Sequence, residues 1–208
     1  MSYPVTFEVD YSEQRNRLTA FFRLLLVIPV AIVLYVFGLV ASIAIVIAWF
    51  AIVITGRYPK GLYDFVADFN RFVARVTAYA LLLTDAYPPF SGSDDASYPV
   101  RMHFAGPLEQ YSRVKTFFRV ILAIPILILR YAINLLLEIG AVAAWFVILV
   151  TGKMPRGLFD LMVLANSYTA RSDAYWFLLT ETYPPFQDEV TRSAGTPGPT
   201  MPDAPSAI

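Results

Sequence analysis

Arg130, Asn134 and Glu138 stand at i, i+4 and i+8, so a helix would carry all three on one face. They interrupt an otherwise apolar block, Val120 to Thr151. Ionisable groups in such a setting are costly and mark binding contacts, ion pairs or proton relays. Glu138 could serve as a partner contact or as half of a relay. It could equally form a local ion pair with Arg130. One acid is thin for a relay, which favours the ion pair or the partner contact. Arg23 and Arg119 open the two apolar blocks. Each suits a lipid phosphate or a partner carboxylate, or an interfacial arginine that snorkels to water. Arg23, Arg119, Arg130, Asn134 and Glu138 are therefore the candidate partner- or lipid-contact residues.

Nothing else in the chain has the pattern of a catalytic set. Asp64 and Asp160 sit near Arg57 and Lys153, but an acid in the first turn of a helix is favourable on electrostatic grounds alone. Asp85 and Glu181 read the same way, and His103 stands alone on a polar strand face. With no cysteine and one histidine, thiol catalysis, disulfides, zinc sites and Fe–S clusters are excluded. No Gly-rich phosphate loop, Ser/His/Asp set or cofactor motif is present. The expectation is a non-enzyme with no catalytic, cofactor-binding or metal residues and no cofactor. Zero net charge, without a basic block, argues against nucleic acid as a partner.

The elements that would hold these residues come twice. Arg17, Phe21-Phe22-Arg23, Ile28-Pro29 and Trp49-Phe50 return as Arg113, Phe117-Phe118-Arg119, Ile124-Pro125 and Trp145-Phe146. Thr55-Gly56-Arg57, Gly61-Leu62-Tyr63-Asp64 and Tyr87-Pro88-Pro89-Phe90 return as Thr151-Gly152-Lys153, Gly157-Leu158-Phe159-Asp160 and Tyr183-Pro184-Pro185-Phe186. Two tandem copies are expected: residues 1–92, residues 93–186, and a Pro-rich tail over 187–208 that should be disordered alone. Each copy opens with strict alternation, as in Val5, Phe7 and Val9 against Thr6 and Glu8. That predicts strands over 4–10 and 99–105, which could pair with each other.

With 57% apolar residues and 15% charged, the chain departs from soluble composition. Leu24 to Ile54 carries no charge, and such runs are read as membrane-spanning. Neither apolar block sits behind a short basic N-terminal region, so neither is expected to be a cleavable signal. A straight helix over 18–55 would run roughly 57 Å, where about 20 residues suffice to cross. A hairpin fits better, turning at Gly38 and its counterpart Asn134, the two residue types most tolerant of left-handed backbone. The expected fold is an all-α membrane protein with short surface strands and four transmembrane helices. The spans run over about 17–37, 39–55, 113–133 and 135–151. An amphipathic interfacial helix follows each pair, over about 61–84 and 157–180. Asn16 and Ser112 are expected N-caps, and Gly56 and Gly152 expected C-terminal glycines. Lys and Arg cluster at the outer ends of both hairpins, which predicts cytoplasmic N- and C-termini in an inner (plasma) membrane.

The set Phe-Phe-Arg, Ile-Pro, Trp-Phe, Thr-Gly-Arg/Lys-x-Pro-x-Gly-Leu-Tyr/Phe-Asp and Tyr-Pro-Pro-Phe resembles the DUF4389 family of bacterial, often actinobacterial, membrane proteins. The resemblance runs through nearly the whole chain outside the tail, once per copy. It implies a fold and a membrane setting, with no catalytic residues to carry across. The expected function is a non-enzymatic integral-membrane accessory subunit that docks onto and stabilises a larger membrane complex. Given the family's actinobacterial setting, the candidate complex is a lipid-importing ABC transporter of the mce type. The alternative is a self-contained small transporter or lipid-handling protein. Expected partners are membrane lipids and that larger complex.

Overall fold

The computed structural model describes residues 3–185; the Pro-rich tail lies outside them. The element order is β1 (Val5–Val9), α1 (Arg17–Phe21), α2 (Arg23–Thr55), α3 (Lys60–Ala80), β2 (Val100–Phe104), α4 (Arg113–Phe117), α5 (Arg119–Thr151) and α6 (Arg156–Trp176). The protein is mostly helical, with one two-stranded sheet.

The long helices overturn the expected hairpins. Residues 23–55 and 119–151 each form one unbroken helix of 33 residues, about 50 Å long. There are two candidate membrane-spanning helices among the described residues, where four spans were expected. Gly38 and Asn134 do not turn the chain, and neither has a positive φ. Both face the neighbouring helix instead. A β-carbon on Gly38 would touch the Phe69 ring at 3.6 Å, and the Thr169 hydroxyl donates to Asn134 Oδ1 at 3.4 Å. Tolerance of left-handed backbone permits a turn without requiring one, and here close packing uses the same residues. Even Pro29 and Pro125 are accommodated within the helices.

What stops the chain is where the capping residues stand. Asn16 accepts from the Leu18 and Thr19 N–H groups, and Ser112 from the Lys115 N–H. Gly56 and Gly152 close α2 and α5 in the left-handed conformation, at φ 76° and 73°. The chain after α3 and α6 turns on leucine: Leu82 and Leu178 take φ 63° and 66°. Leu83 N–H donates to the Ala78 carbonyl and Leu82 N–H to Tyr79, a Schellman pattern that Leu178 and Leu179 repeat. A left-handed leucine costs about 1–2 kcal/mol. Both leucines are buried, which offsets that strain.

The packing exchanges elements between the copies. α2 packs on α3 and α5 on α6, and α3 and α6 meet at the centre. The sheet lies over this pair, β2 on α3 but β1 on α6. β1 and β2 are antiparallel with Phe7 opposite Met102, so Val5, Phe7, Val9, Val100 and Met102 turn into the core. α1 packs on α5 and α4 on α2. Trp49 Nε1 donates to the Thr116 carbonyl at 2.9 Å, and Trp145 Nε1 to the Ala20 carbonyl at 3.1 Å. Each long helix therefore ends where the other begins.

The amphipathic helices are interior elements rather than surface ones. α3 turns Phe65, Phe69 and Phe72 onto Phe37 of α2. It turns Arg71 and Arg75 onto the β2 carbonyls of Met102 and Val100. The long helices are the opposite case. Only 17% and 22% of their most apolar stretches is buried. A core helix of a soluble domain is mostly covered, whereas these expose Leu25, Ile32, Ile43, Ile47, Ile128 and Ile139 among many others.

One helix per copy also removes the basis for the expected orientation. Arg15, Arg17, Lys153 and Arg156 flank the end where α2 begins, and Arg57, Lys60, Arg113 and Lys115 flank the other. Cytoplasmic placement of both termini followed from hairpins that returned every basic cluster to one face. A single crossing helix puts such clusters on both faces, and the charge bias selects neither.

Candidate functional site: the apolar grooves and the polar stripe of α5

Arg23 and Arg119 are equivalent first residues of the two long helices, and both are buried rather than snorkelling, at 2% and 3% exposure. Each guanidinium stacks on a tyrosine, Arg23 on Tyr79 and Arg119 on Tyr175, both at 4.0 Å. Each also donates to a backbone carbonyl: Arg23 Nη1 to Thr84 at 3.1 Å, Arg119 Nη2 to Thr180 at 3.0 Å.

Their charges are handled differently. Asp85 accepts from Arg23 Nη2 at 2.6 Å with one oxygen and from the Asn16 N–H at 2.9 Å with the other. It ties the arginine to the start of α1. The counterpart Glu181 accepts the Ser112 N–H at 2.6 Å, yet no carboxylate lies within ion-pair distance of Arg119 among the described residues. The Nε atoms of both arginines are buried without a hydrogen-bond partner, but Arg23 bonds through both Nη atoms and Arg119 through Nη2 alone among the described residues.

Two apolar grooves border these arginines. One is about 650 Å³ and runs along α2 from Gly38 and Ser42 to Trp49 and Phe50, closed by Arg119 and by Trp176 to Leu178. The other, about 320 Å³, is its pseudo-symmetric counterpart beside Arg23, Leu82, Ala141 and Trp145. The left-handed leucines Leu178 and Leu82 thus line one groove each.

On α5 the three polar residues separate. Arg130 Nη1 donates to Asp173 Oδ1 of α6, so it does not pair with Glu138. Asn134 accepts from Thr169 of the same helix. Both turn inward to α6, while Glu138 is exposed and has no hydrogen bond or ion pair among the described residues. Its neighbours Leu135, Leu136, Ile139 and Val142 are all more than half exposed.

Asp173, at 3% side-chain exposure, is the residue sequence reasoning missed. Burial lifts its carboxyl from the ordinary 3.8 to about 6, against the opposing pull of the Arg130 charge and hydrogen bond. A signal did exist. Arg130 replaces Leu34 of the first copy and Asp173 replaces Thr77. Two opposite charges unique to one copy are natural candidates for each other.

The other titratable groups make structure. Lys60–Asp64 and Arg156–Asp160 are exposed i, i+4 pairs at 2.6 and 3.1 Å, and His103 Nδ1 lies 3.4 Å from Asp94. Tyr58 and Tyr63 pack edge to face, and burial pushes both phenols well above their ordinary range, so they stay protonated. Among the described residues no three His, Cys, Asp or Glu side chains gather to hold a metal.

A family model described as "Domain of unknown function (DUF4389)" matches residues 17–92 and 113–187, two tandem regions. No curated protein and no solved structure matches the chain.

Proposed function

The chain belongs to the DUF4389 family in two tandem copies, and from that premise we propose that it is a non-enzymatic, membrane-embedded accessory subunit docking onto a larger membrane complex through the Glu138 face of α5. The observation that carries this reading is Glu138 itself. An ionised acid facing hydrocarbon at mid-helix costs on the order of 3 kcal/mol. Nothing within the described chain offsets that cost, whereas an Arg, Lys or hydrogen-bond donor on a neighbouring membrane helix would. The surrounding Leu135, Leu136, Ile139 and Val142 supply the apolar contact such a helix needs. The family's setting makes a lipid-importing ABC system of the mce type the first complex to examine.

Affinity purification of the tagged protein at native expression in mild detergent, with mass spectrometry of copurifying chains, tests this. The expectation is a stoichiometric membrane assembly that Glu138→Leu releases. Recovery of the protein alone, or an assembly indifferent to residue 138, would remove the docking reading. The grooves favour the second reading, a self-contained lipid-handling protein. In that case the Glu138 variant would leave lipid handling unchanged.

A further inference from the structure

We propose that the groove closed by Arg119 is a binding site for one anionic phospholipid, with an acyl chain along α2 and the headgroup phosphate on the Arg119 guanidinium. This site does not depend on the docking reading, since it lies on the α2 side of the fold and uses none of the Glu138 face.

The copies provide an internal comparison. At the Arg23 end, Asp85 neutralises the arginine and the groove is about 320 Å³. At the Arg119 end no acid of the described residues pairs with the arginine and the groove is about 650 Å³, within the range of roughly 300–1,000 Å³ typical of small-molecule sites. Gly38 and Ser42 leave the wall low where Asn134 and Glu138 stand in the other copy. A buried guanidinium without a counter-ion is expensive unless an anion completes it, and among the described residues Arg119 bonds through Nη2 alone, leaving Nη1 free where both Nη atoms of Arg23 are taken. Phosphate oxygens match that donor geometry.

The rest of the lining says what kind of molecule carries the anion. Ile45, Val46, Trp49, Phe50, Phe69 and Val120 offer hydrocarbon and aromatic surface, with the Ser42 hydroxyl bonded to its own helix at Leu39. A soluble phosphate ester would leave this surface wet. The mouth is continuous with the exposed apolar side of α2, where Val46 and Phe50 are each 54% exposed. A lipid can thus enter sideways from the membrane. Arg119 opens α5 and is not at mid-helix, which is the depth of a headgroup rather than of chain ends.

Two of the three tryptophans, Trp49 and Trp176, line this groove, and Trp145 lines the other. The full-length Trp145→Phe protein in phosphatidylcholine nanodiscs therefore reports on the site. A few percent of phosphatidylglycerol with brominated acyl chains should quench its tryptophan fluorescence several-fold more than the same fraction of brominated phosphatidylcholine. Arg119→Gln should abolish that preference and Arg119→Lys should retain much of it. Ser42→Phe fills the groove from an exposed position and should abolish the excess quenching, so the test stands even where Arg119→Gln fails to fold. Equal quenching by the two brominated lipids would overturn the proposal. So would a preference that survives Ser42→Phe in folded protein.

Discussion

Breaking the Arg130–Asp173 pair should cost far more from one side than from the other. Asp173 is 3% exposed and Arg130 is 28% exposed. Arg130→Leu strands a carboxylate in the core with its one ion-pair partner among the described residues gone, and such a loss typically costs about 3–5 kcal/mol. Asp173→Thr strands a cation that can still turn outward, so about 1–2 kcal/mol is expected. The double variant Arg130→Leu/Asp173→Thr reproduces the first copy, where Leu34 and Thr77 occupy these positions. It should lie within about 1 kcal/mol of wild type, because a buried pair replaced by packed side chains is nearly neutral. The coupling energy is then about 5 kcal/mol at the middle of these ranges. Unfolding free energies from denaturant titration in mixed micelles, followed by tryptophan fluorescence at neutral pH, give all four corners of the cycle. The reasoning fails if Arg130→Leu costs no more than Asp173→Thr, or if the double variant costs the sum of the two.

The same carboxyl gives the protein a pH dependence. Its folded value, about 6, lies above the ordinary 3.8. The folded state therefore holds the proton more tightly over that window, and this group's contribution to stability falls as pH rises from about 4 to above 6. Melting temperatures at pH 5 and pH 8 should show the decline, and Asp173→Thr should flatten it. Trp49→Phe and Trp145→Phe each remove the indole donor from a carbonyl, Thr116 or Ala20, which keeps only the shared Phe118 or Phe22 N–H. Each should cost about 1–2 kcal/mol by micelle unfolding, and the two should add because they sit at opposite ends of the fold. Residues 1–92 expressed alone should fail to give a protease-resistant species, because β1 pairs with β2 and packs on α6. Coexpression with residues 93–208 should restore resistance.

Local signals in the sequence are legible where one residue has one job. Asn16, Ser112, Gly56 and Gly152 cap the helices at the positions their side chains and backbone freedom allow. The alternation around Phe7 and Met102 set the inward faces of the strands. The expected hairpins fail at residues with two uses. Gly38 and Asn134 suit a turn, and also suit a close helix contact, and only the partner helix distinguishes these. Asp173 was hidden by its 43-residue distance from Arg130. The unequal neutralisation of Arg23 and Arg119 is hidden by a substitution that looks conservative. Asp85 reaches both the Asn16 N–H and Arg23, while Glu181 takes the Ser112 N–H alone.

Site-specific photocrosslinking in living cells bears most directly on the docking role. Benzoylphenylalanine at Leu135 or Val142 flanks Glu138, and the same probe at Ile32 or Ile43 reports from the exposed side of α2. The docking account predicts one discrete heavier adduct from the α5 positions, absent from the α2 positions and lost on Glu138→Leu. Lipid adducts alone from both helices, or a protein adduct that persists without Glu138, would contradict it.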